Sequence, residues 1–437
     1  MRCFFGLLLL IGVYKGKNSS IAELWSKHDG RPIFNSAMPR DRFYLLLRCI
    51  LFDVRESRKV NDKFAPMRHI FERVVTKFRG SYQAGANVTV DEQLVTFRGR
   101  CGFKIYMPSK PGKYGIKIWA LVDSETRYCL NLQPYLGRIG ENREIGQGQR
   151  VVLELTDYIS GSGRHITGDN FFTSLELSRA LLGRNLTYSG TIRKNKHEIP
   201  HQFLPHRERP VQSSIFGFTN DATLVSYVPK QSRAVILLST LHHQPNISNI
   251  QQKPEIIIDY NRCKAGVDTL DQLVRCYSCK RKTKRWPFAM FANLLDICAY
   301  NAFVLFTNVH PQYHAAKSHR RRLFIIHLAK SMLPVPALIP APLAAGPPVP
   351  AVQRNYKRCH FCPRVNDKKT REVCYDCGRS ICKDHAILFC ANCAHQWPFE
   401  LCKTYYFHGH FCIQYNEYRY MFIIKIRLCV VHTFWLV

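Results

Sequence analysis

Hydrophobic and polar positions divide the chain into stretches of different period. Up to about Gly85 the apolar residues recur at helical spacing, as in Pro39-Arg-Asp-Arg-Phe-Tyr-Leu-Leu-Leu-Arg48 and Ile70-Phe-Glu-Arg-Val-Val-Thr-Lys-Phe78. From Asn87 the pattern shortens to β-rich runs: Val88-Thr-Val90, Gly115-Ile-Lys-Ile-Trp-Ala-Leu-Val122 and Tyr128-Cys-Leu-Asn-Leu132. Arg150 to Ile159 reads as a helix. His165-Ile-Thr167 reads as a strand ending in a Gly-Asp-Asn turn. Thr173 to Leu182 reads as a helix capped by Thr173, with Glu176 three residues on. A strand follows at Leu186-Thr-Tyr-Ser189. This order of strands and helices predicts an α/β layered core.

Lys194 to Asp259 reads as a β-rich insertion with strands at Leu224-Val-Ser-Tyr-Val228, Ala234-Val-Ile-Leu-Leu238 and Glu255-Ile-Ile-Ile258. Gly266 to Tyr277 returns to helix. Two apolar runs raise the question of a membrane. Cys3 to Tyr14 follows Arg2 as a signal-peptide core would, but no small-x-small cleavage site comes after it. It is also shorter than the ~20 residues that span a bilayer, so it predicts a core helix. Pro287 to Val309 carries Asn293, Asp296 and Asn301 in its middle. An ionised carboxylate in hydrocarbon is costly, so this run predicts a buried helix with Pro287 in its first turn. The apolar end, Met421 to Val437, is interrupted by Lys425 and Arg427. No membrane partner is expected, and the sequons at Asn87, Asn185 and Asn246 carry no meaning outside the secretory path. Leu333 to Val352 holds seven prolines and predicts an extended linker.

Charge narrows the partners. Lysine and arginine number 63 against 31 acidic residues in 437, a net charge of +32. An excess of this size calls for a polyanion, nucleic acid or an anionic membrane face. It concentrates in runs. Lys280-Arg-Lys-Thr-Lys-Arg285 precedes Trp286, which suits phosphate contact with the ring stacked on an unpaired base. Arg98, Arg100, Lys104, Lys113 and Lys117 flank Asp91 and are candidates to line a DNA channel. Lys317-Ser-His-Arg-Arg-Arg322 is a further run, and either run would serve as a nuclear localisation signal. A solvated charged face explains one such run; three of them favour nucleic acid.

Three aspartates stand at ends of predicted core elements: Asp91 after Val88-Thr-Val90, Asp169 after His165-Ile-Thr167, and Asp268 at the opening of the helix from Gly266. Strand ends of α/β sheets are where reacting groups converge. Three carboxylates suffice to hold two divalent cations ~3.5–4 Å apart for phosphoryl transfer, and magnesium prefers such hard oxygen ligands. Asp271, one helical turn beyond Asp268, is a fourth ligand or a supporting partner. Taken singly, each aspartate is better read as a turn former or helix cap than as a catalytic group. Asp123, in Leu121-Val-Asp-Ser-Glu125, is assigned to a hairpin turn with no chemistry.

Thr89-Val-Asp-Glu-Gln93, Phe97-Arg-Gly-Arg100, Met107-Pro-Ser-Lys-Pro111 and Lys113-Tyr-Gly-Ile-Lys117 closely resemble the piggyBac transposase family. So do Ile166-Thr-Gly-Asp-Asn-Phe-Phe-Thr-Ser174, Gly190-Thr-Ile-Arg-Lys-Asn-Lys196, Gly266-Val-Asp-Thr-Leu-Asp-Gln272 and Cys279-Lys-Arg-Lys-Thr-Lys-Arg-Trp-Pro287. The resemblance runs in order from about Phe4 to Cys393. It implies a ribonuclease H-like α/β catalytic core with a β-rich insertion, a flanking helical dimerisation and DNA-binding region, and a C-terminal zinc module. It implies an Asp-Asp-Asp triad at Asp91, Asp169 and Asp268, with Asp271 as an additional essential acid and Mg2+ or Mn2+ as the cofactor. It implies a nuclear homodimer that performs cut-and-paste transposition at TTAA targets in double-stranded DNA. In that reaction freed 3′-hydroxyls form hairpins and then attack target DNA.

On this frame the expected parts are a truncated helical region (1–86), the catalytic domain (87–272, insertion about 194–259) and a second helical DNA-binding part (273–332). The linker (333–352), a Cys-rich module (353–396) and an atypical tail (397–437) follow. The DNA-binding set is Arg98, Arg100, Lys113, Lys117, Lys280, Arg281, Lys282, Lys284 and Arg285. The chain departs from the family pattern in starting inside the first helical region, in its tail, and at Gly168, where the family usually has cysteine. There glycine is expected to loosen the turn beside Asp169. The alternatives to an active enzyme are a domesticated DNA-binding protein with an idle triad and a zinc-module chromatin or ubiquitin adaptor.

Seven of the eighteen cysteines fall between Cys359 and Cys393, and the rest are scattered. That placement suits a reducing compartment with zinc rather than a disulfide scaffold. The pairs Cys359/Cys362, Cys374/Cys377, Cys382/His385 and Cys390/Cys393 supply eight ligands, enough for two tetrahedral Zn2+ ions. In a cross-brace, Cys359, Cys362, Cys382 and His385 hold one ion and Cys374, Cys377, Cys390 and Cys393 the other; sequential pairing is the alternative. So small a module needs metal to fold. Family resemblance implies that it reads the transposon end; a histone tail or a ubiquitin-conjugating partner is the other candidate for a cross-brace. The aromatic-rich tail from Ala394 suggests read-through of an altered frame or intron, with disorder or aggregation expected.

Overall fold

The computed structural model describes residues 1–138, 144–334, 357–360, 362–366, 368–370, 379–380 and 382. Two compact units divide the chain, and the described part of the first extends to Pro334. Its N-terminal region holds helices α1 (Arg2–Val13), α2 (Ile21–Leu24), α3 (Pro32–Ala37), α4 (Arg40–Cys49) and α5 (Ala65–Ser81). Strands β1 (Asn87–Thr96), β2 (Ile105–Tyr106), β3 (Tyr114–Asp123) and β4 (Cys129–Pro134) follow. Then come α6 (Gln147–Thr156), β5 (His165–Gly168), α7 (Leu175–Leu182) and β6 (Thr187–Thr191). Next are β7 (Ser214–Phe218), β8 (Thr223–Lys230), β9 (Arg233–Ser239) and a small pair, β10 (Ile247–Ser248) with β11 (Lys253–Pro254). Helices α8 (Glu255–Cys263), α9 (Gly266–Cys276), α10 (Trp286–Val309) and α11 (Arg320–Ser331) complete the unit.

One mixed nine-stranded sheet runs β2-β3-β1-β5-β6-β9-β8-β7, with β4 also paired to β3. β1, β5 and β6 are mutually parallel and their neighbours antiparallel. The strands from the 194–259 stretch thus extend the sheet beyond β6. Two expectations are corrected, one in this stretch and one in the helix after Asp169. Glu255 to Ile258 is the start of helix α8, because Ile256, Ile257, Tyr260 and Cys263 are the buried positions and their spacing is helical. The helix after Asp169 is capped by Ser174, whose Oγ accepts from Leu177 N–H at 3.0 Å, not by Thr173.

The apolar runs lie inside. Phe4 to Ile11 of α1 is wholly buried, and α1 packs on α11. Helix α10 is long and apolar enough to cross a membrane, yet 83% of its apolar window is buried among other elements of the unit. Its three mid-helix polar residues, Asn293, Asp296 and Asn301, each have a protein partner. Asn293 donates to Gln93 Oε1 at 3.0 Å, and Asp296 accepts from Cys279 N–H at 2.9 Å. Asn301 both accepts from and donates to the Cys129 backbone at 2.9 Å. Buried polar groups paired in this way fix the helix against β1 and β4. Asp123 holds a turn, as expected, accepting from Gly85, Glu125 and Thr126 N–H at 2.7–2.9 Å.

In the second unit the described residues include the paired strands β12 (Lys357–Arg358) and β13 (Lys369–Thr370). The Pro-rich linker beyond Pro334 and the tail from Ala394 lie outside the described residues.

Candidate active site

The parallel register builds the centre of the site. Val90 of β1 pairs with Gly168 of β5, so the next residues, Asp91 and Asp169, emerge side by side. Asp91 does not follow a finished strand, as expected from the sequence. β1 continues to Thr96 against β3, and only its parallel pairing with β5 stops at Val90. The third carboxylate drawn in is Glu92, which sequence reasoning missed. Donor atoms of Asp91, Glu92 and Asp169 lie within 4.8 Å of one another.

Three acids this close suit a divalent cation and resist being charged together without one. Burial raises the Asp91 carboxyl to about 8, with the Glu92 and Asp169 charges adding to the effect and the Glu92 N–H opposing it. Burial also raises Asp169, against the hydrogen bond from Phe171 N–H at 2.9 Å and the charges of Lys117 and Arg193. Lys117 lies at the cluster, its ammonium 4.7 Å from the Phe171 ring centre and 5.3 Å from that of Trp119. Burial lowers its pKa, and the surrounding carboxylates counter part of that.

Helix α9 brings the remaining two aspartates by different routes. Asp268 is exposed and stands outside the three-acid group. Its Oδ1 receives a hydrogen bond from Lys110 Nζ at 2.8 Å, and the same ammonium donates to the Glu92 carbonyl at 3.0 Å. Lys110 was not singled out from the sequence; only its place in Met107-Pro-Ser-Lys-Pro111 hinted at it. Asp271 is buried and turned to other partners: Gln93 Nε2 donates to it at 3.2 Å, and Arg275 forms an ion pair with it. It supports the joint between α9 and β1 and does not join the acid cluster.

The loop carrying Asp169 is braced from below. Thr173 Oγ1 donates to the Asp169 carbonyl at 2.8 Å and meets Tyr188 Oη at 2.8 Å. A Cβ on Gly168 would stand 2.4 Å from that Tyr188 oxygen. Gly168 is therefore not a loosened turn. It is a strand residue, paired on both sides, whose missing side chain leaves room for Tyr188.

The basic run before α10 is largely internal. Lys280 Nζ reaches Thr96 Oγ1 at 2.6 Å. Arg281 donates to the Gly16 and Ser19 carbonyls at 2.9 and 2.6 Å, and Arg285 to those of Leu47, Arg48 and Ile50. In this structure these three cations tie the N-terminal helices and β1 to the segment before α10; Lys282 and Lys284 face solvent. Trp286, expected to stack on a base, packs against Phe64 and Phe103 with ring centres 5.7 and 5.0 Å away. Arg98, Arg100 and Lys113 are exposed, and Lys104 Nζ donates to the Gly99 carbonyl at 3.1 Å.

In the second unit, the sulfurs of Cys359, Cys362 and Cys382 lie within 4.8 Å of one another. Cys374, Cys377, His385, Cys390 and Cys393 are outside the described residues.

Comparison with known proteins agrees with this picture. A family model described as Transposase IS4 matches residues 1–303. The chain is 24% identical over 325 residues to the human PiggyBac transposable element-derived protein 3, covering 70% of this chain and 54% of that protein. It is 23% identical over 324 residues to the human PiggyBac transposable element-derived protein 2, covering 70% and 55%. It thus spans about half the length of these curated relatives. Among solved structures it is similar to the piggyBac transposase in a synaptic complex with hairpin DNA, at 36% identity and a TM-score of 0.72, covering 90% of this chain and 87% of that one.

Proposed function

The chain belongs to the Transposase IS4 family and is piggyBac-like, and from that premise we propose that it cuts and rejoins DNA by divalent-metal phosphoryl transfer. Asp91, Asp169 and Asp268 form the triad in this reading, and Asp271 acts through Arg275 and Gln93 as a positioning residue. The observation that carries it is the acid group of Asp91, Glu92 and Asp169 at the end of the parallel strands. The sheet order β4-β3-β1-β5-β6, with parallel pairing from β1 to β6, supports a ribonuclease H-like core over 87–272.

A pair of Mg2+ or Mn2+ ions would supply activation of the attacking oxygen and stabilisation of the leaving one. The protein's part is to hold the carboxylates. Asp91 and Asp169 sit on the rigid sheet, fixed by register and by the Glu92 and Phe171 N–H groups. Asp268 sits on α9, where Lys110 donates a hydrogen bond to it. Lys117 adds positive charge beside the cluster, suited to a scissile phosphate. Arg98, Arg100, Lys113, Lys282 and Lys284 are exposed and suited to the duplex backbone.

We place the protein in the nucleus as a homodimer acting on transposon ends at TTAA sites through hairpin intermediates. For the second unit we propose two Zn2+ ions in a cross-brace. Grouping of Cys382 with Cys359 and Cys362 supports that pairing over the sequential one.

The test is Mg2+-dependent cleavage of DNA carrying the element's flanking repeats and TTAA, by wild type and by Asp91→Asn and Asp268→Asn. Nicks and hairpins with wild type, and their loss with retained DNA binding in both variants, are expected. Tight binding by wild type with no cleavage overturns the enzyme reading and leaves a DNA-binding relic.

A further inference from the structure

An aromatic pair at the sheet edge remains unused by this reading. Tyr106 and Tyr114 are direct cross-strand partners in the β2–β3 hairpin, with ring centres 4.8 Å apart and planes tilted by 43°. Cross-strand aromatic pairs usually stabilise a hairpin by covering each other. These two remain 54% and 44% exposed, the most open tyrosines in the sheet. Their setting is cationic. Phe97 N–H donates to the Tyr114 carbonyl at 3.0 Å, which brings Arg98 alongside, and Lys113 directly precedes Tyr114. A Cβ on Gly99 would lie 2.9 Å from the Lys284 carbonyl, so the Arg98–Arg100 loop backs onto exposed Lys284. Among the described residues, none of Arg98, Arg100, Lys113 and Lys284 forms an ion pair.

Half-exposed rings among unpaired cations match the chemistry of unpaired nucleic acid, which offers a π face beside a phosphate. An apolar protein partner would leave those four charges desolvated and unmatched. The pair also lies close to the acids. Gly115, next to Tyr114, pairs with Thr96, five residues along β1 from Asp91. At about 3.3 Å per residue that is ~17 Å, within one turn of duplex. The hairpin tip returns to the acids through Lys110.

We infer that Tyr106 and Tyr114 form a stacking site for an unpaired nucleobase of the DNA strand being processed, with Arg98, Arg100, Lys113 and Lys284 holding its phosphates. This rests on the DNA-processing reading above and adds the recognition of unpaired DNA next to the acids. The probe is a DNA hairpin with 2-aminopurine in its loop, compared with a fully paired duplex of equal phosphate number, using the full chain. Wild type should prefer the hairpin and quench the probe. Tyr106→Leu and Tyr114→Leu should each lose about tenfold in hairpin affinity and most of the quenching, with duplex affinity and thermal midpoint unchanged. Tyr106→Phe and Tyr114→Phe should behave as wild type.

Leu variants that bind the hairpin as tightly as wild type overturn the inference. So does an equal loss on hairpin and duplex, which marks the pair as a structural element only. If wild type cleaves duplex ends yet shows no hairpin preference, the stacking site falls while the enzyme reading stands. If it binds neither DNA, both fall.

Discussion

Lys110 Nζ lies 2.8 Å from Asp268 Oδ1, although 158 residues separate them in the chain. The ammonium is mostly covered, with 13% of its side chain exposed, whereas Asp268 is 62% exposed. Burial lowers the Lys110 pKa, but the Asp268 hydrogen bond and the Asp91 charge outweigh it and hold the group above its ordinary value. A cation thus already occupies the approach between α9 and the acid group. An ion pair with so exposed a carboxylate contributes little to stability, ~1 kcal/mol or less. Its effect is on what else the carboxylates can bind. Lys110→Met should leave the thermal midpoint within a few degrees of wild type and tighten Mn2+ binding several-fold, read by Mn2+ paramagnetic resonance without DNA. Unchanged or weaker Mn2+ binding would show that Lys110 does not compete for these acids.

Gly168 and Tyr188 make a second interlocked pair. The Tyr188 hydroxyl takes the space a side chain at Gly168 would need and braces the Asp169 loop through Thr173. Gly168→Ala should force Tyr188 aside and cost about 1–3 kcal/mol, the usual range for overpacking. Removing the tyrosine oxygen relieves the clash, so adding Tyr188→Phe to Gly168→Ala should recover part of that loss. Urea midpoints of the wild type, both single variants and the double variant measure the coupling. Strict additivity would mean that the two positions are independent.

Sequence pattern carried much of this fold. The three polar residues inside the Pro287–Val309 run predicted a core helix, and each proved to have a buried partner. The strand before Asp169 was legible from its β-rich run, whereas Asp91 lies within β1, which runs on to Thr96 against β3. Glu255 to Ile258 was misread because a short apolar run has no period of its own. Its helical spacing shows only once Tyr260 and Cys263 are counted. The internal contacts of Lys280, Arg281 and Arg285 were not legible for a different reason. Composition gives charge, but not the unpaired carbonyls at the end of α4 that Arg285 satisfies. Lys110 and Glu92 stayed hidden because their roles depend on contacts between distant segments.

Zinc pairing is open to a counting experiment. Cys359, Cys362 and Cys382 converge, which favours the cross-brace. Native mass spectrometry of the full chain should find two zinc ions. Cys359→Ser with Cys382→Ser should remove one ion, because both ligands serve the same site. Cys359→Ser with Cys374→Ser should remove both. Sequential pairing predicts the reverse for the two double variants.

Asp296 sets a pH dependence away from the acid cluster. It is buried between α10 and its neighbours, and burial pushes its carboxyl up to about 7, against Cys279 N–H, the Ser278 hydroxyl and the Lys280 charge. An unfolded aspartate ionises near 3.9, so between about pH 4 and 7 the native state holds a proton that the unfolded state has lost. Stability then falls as pH rises across that window, and this contribution is complete below it and gone above it. Asparagine does not titrate and still offers an oxygen to Cys279 N–H. Asp296→Asn should therefore match wild type near pH 4 and exceed it above pH 7, by on the order of 3–4 kcal/mol. Urea unfolding of both proteins across pH 4–8 measures the difference, and a gap that does not widen with pH would mean that Asp296 is already ionised in the native state.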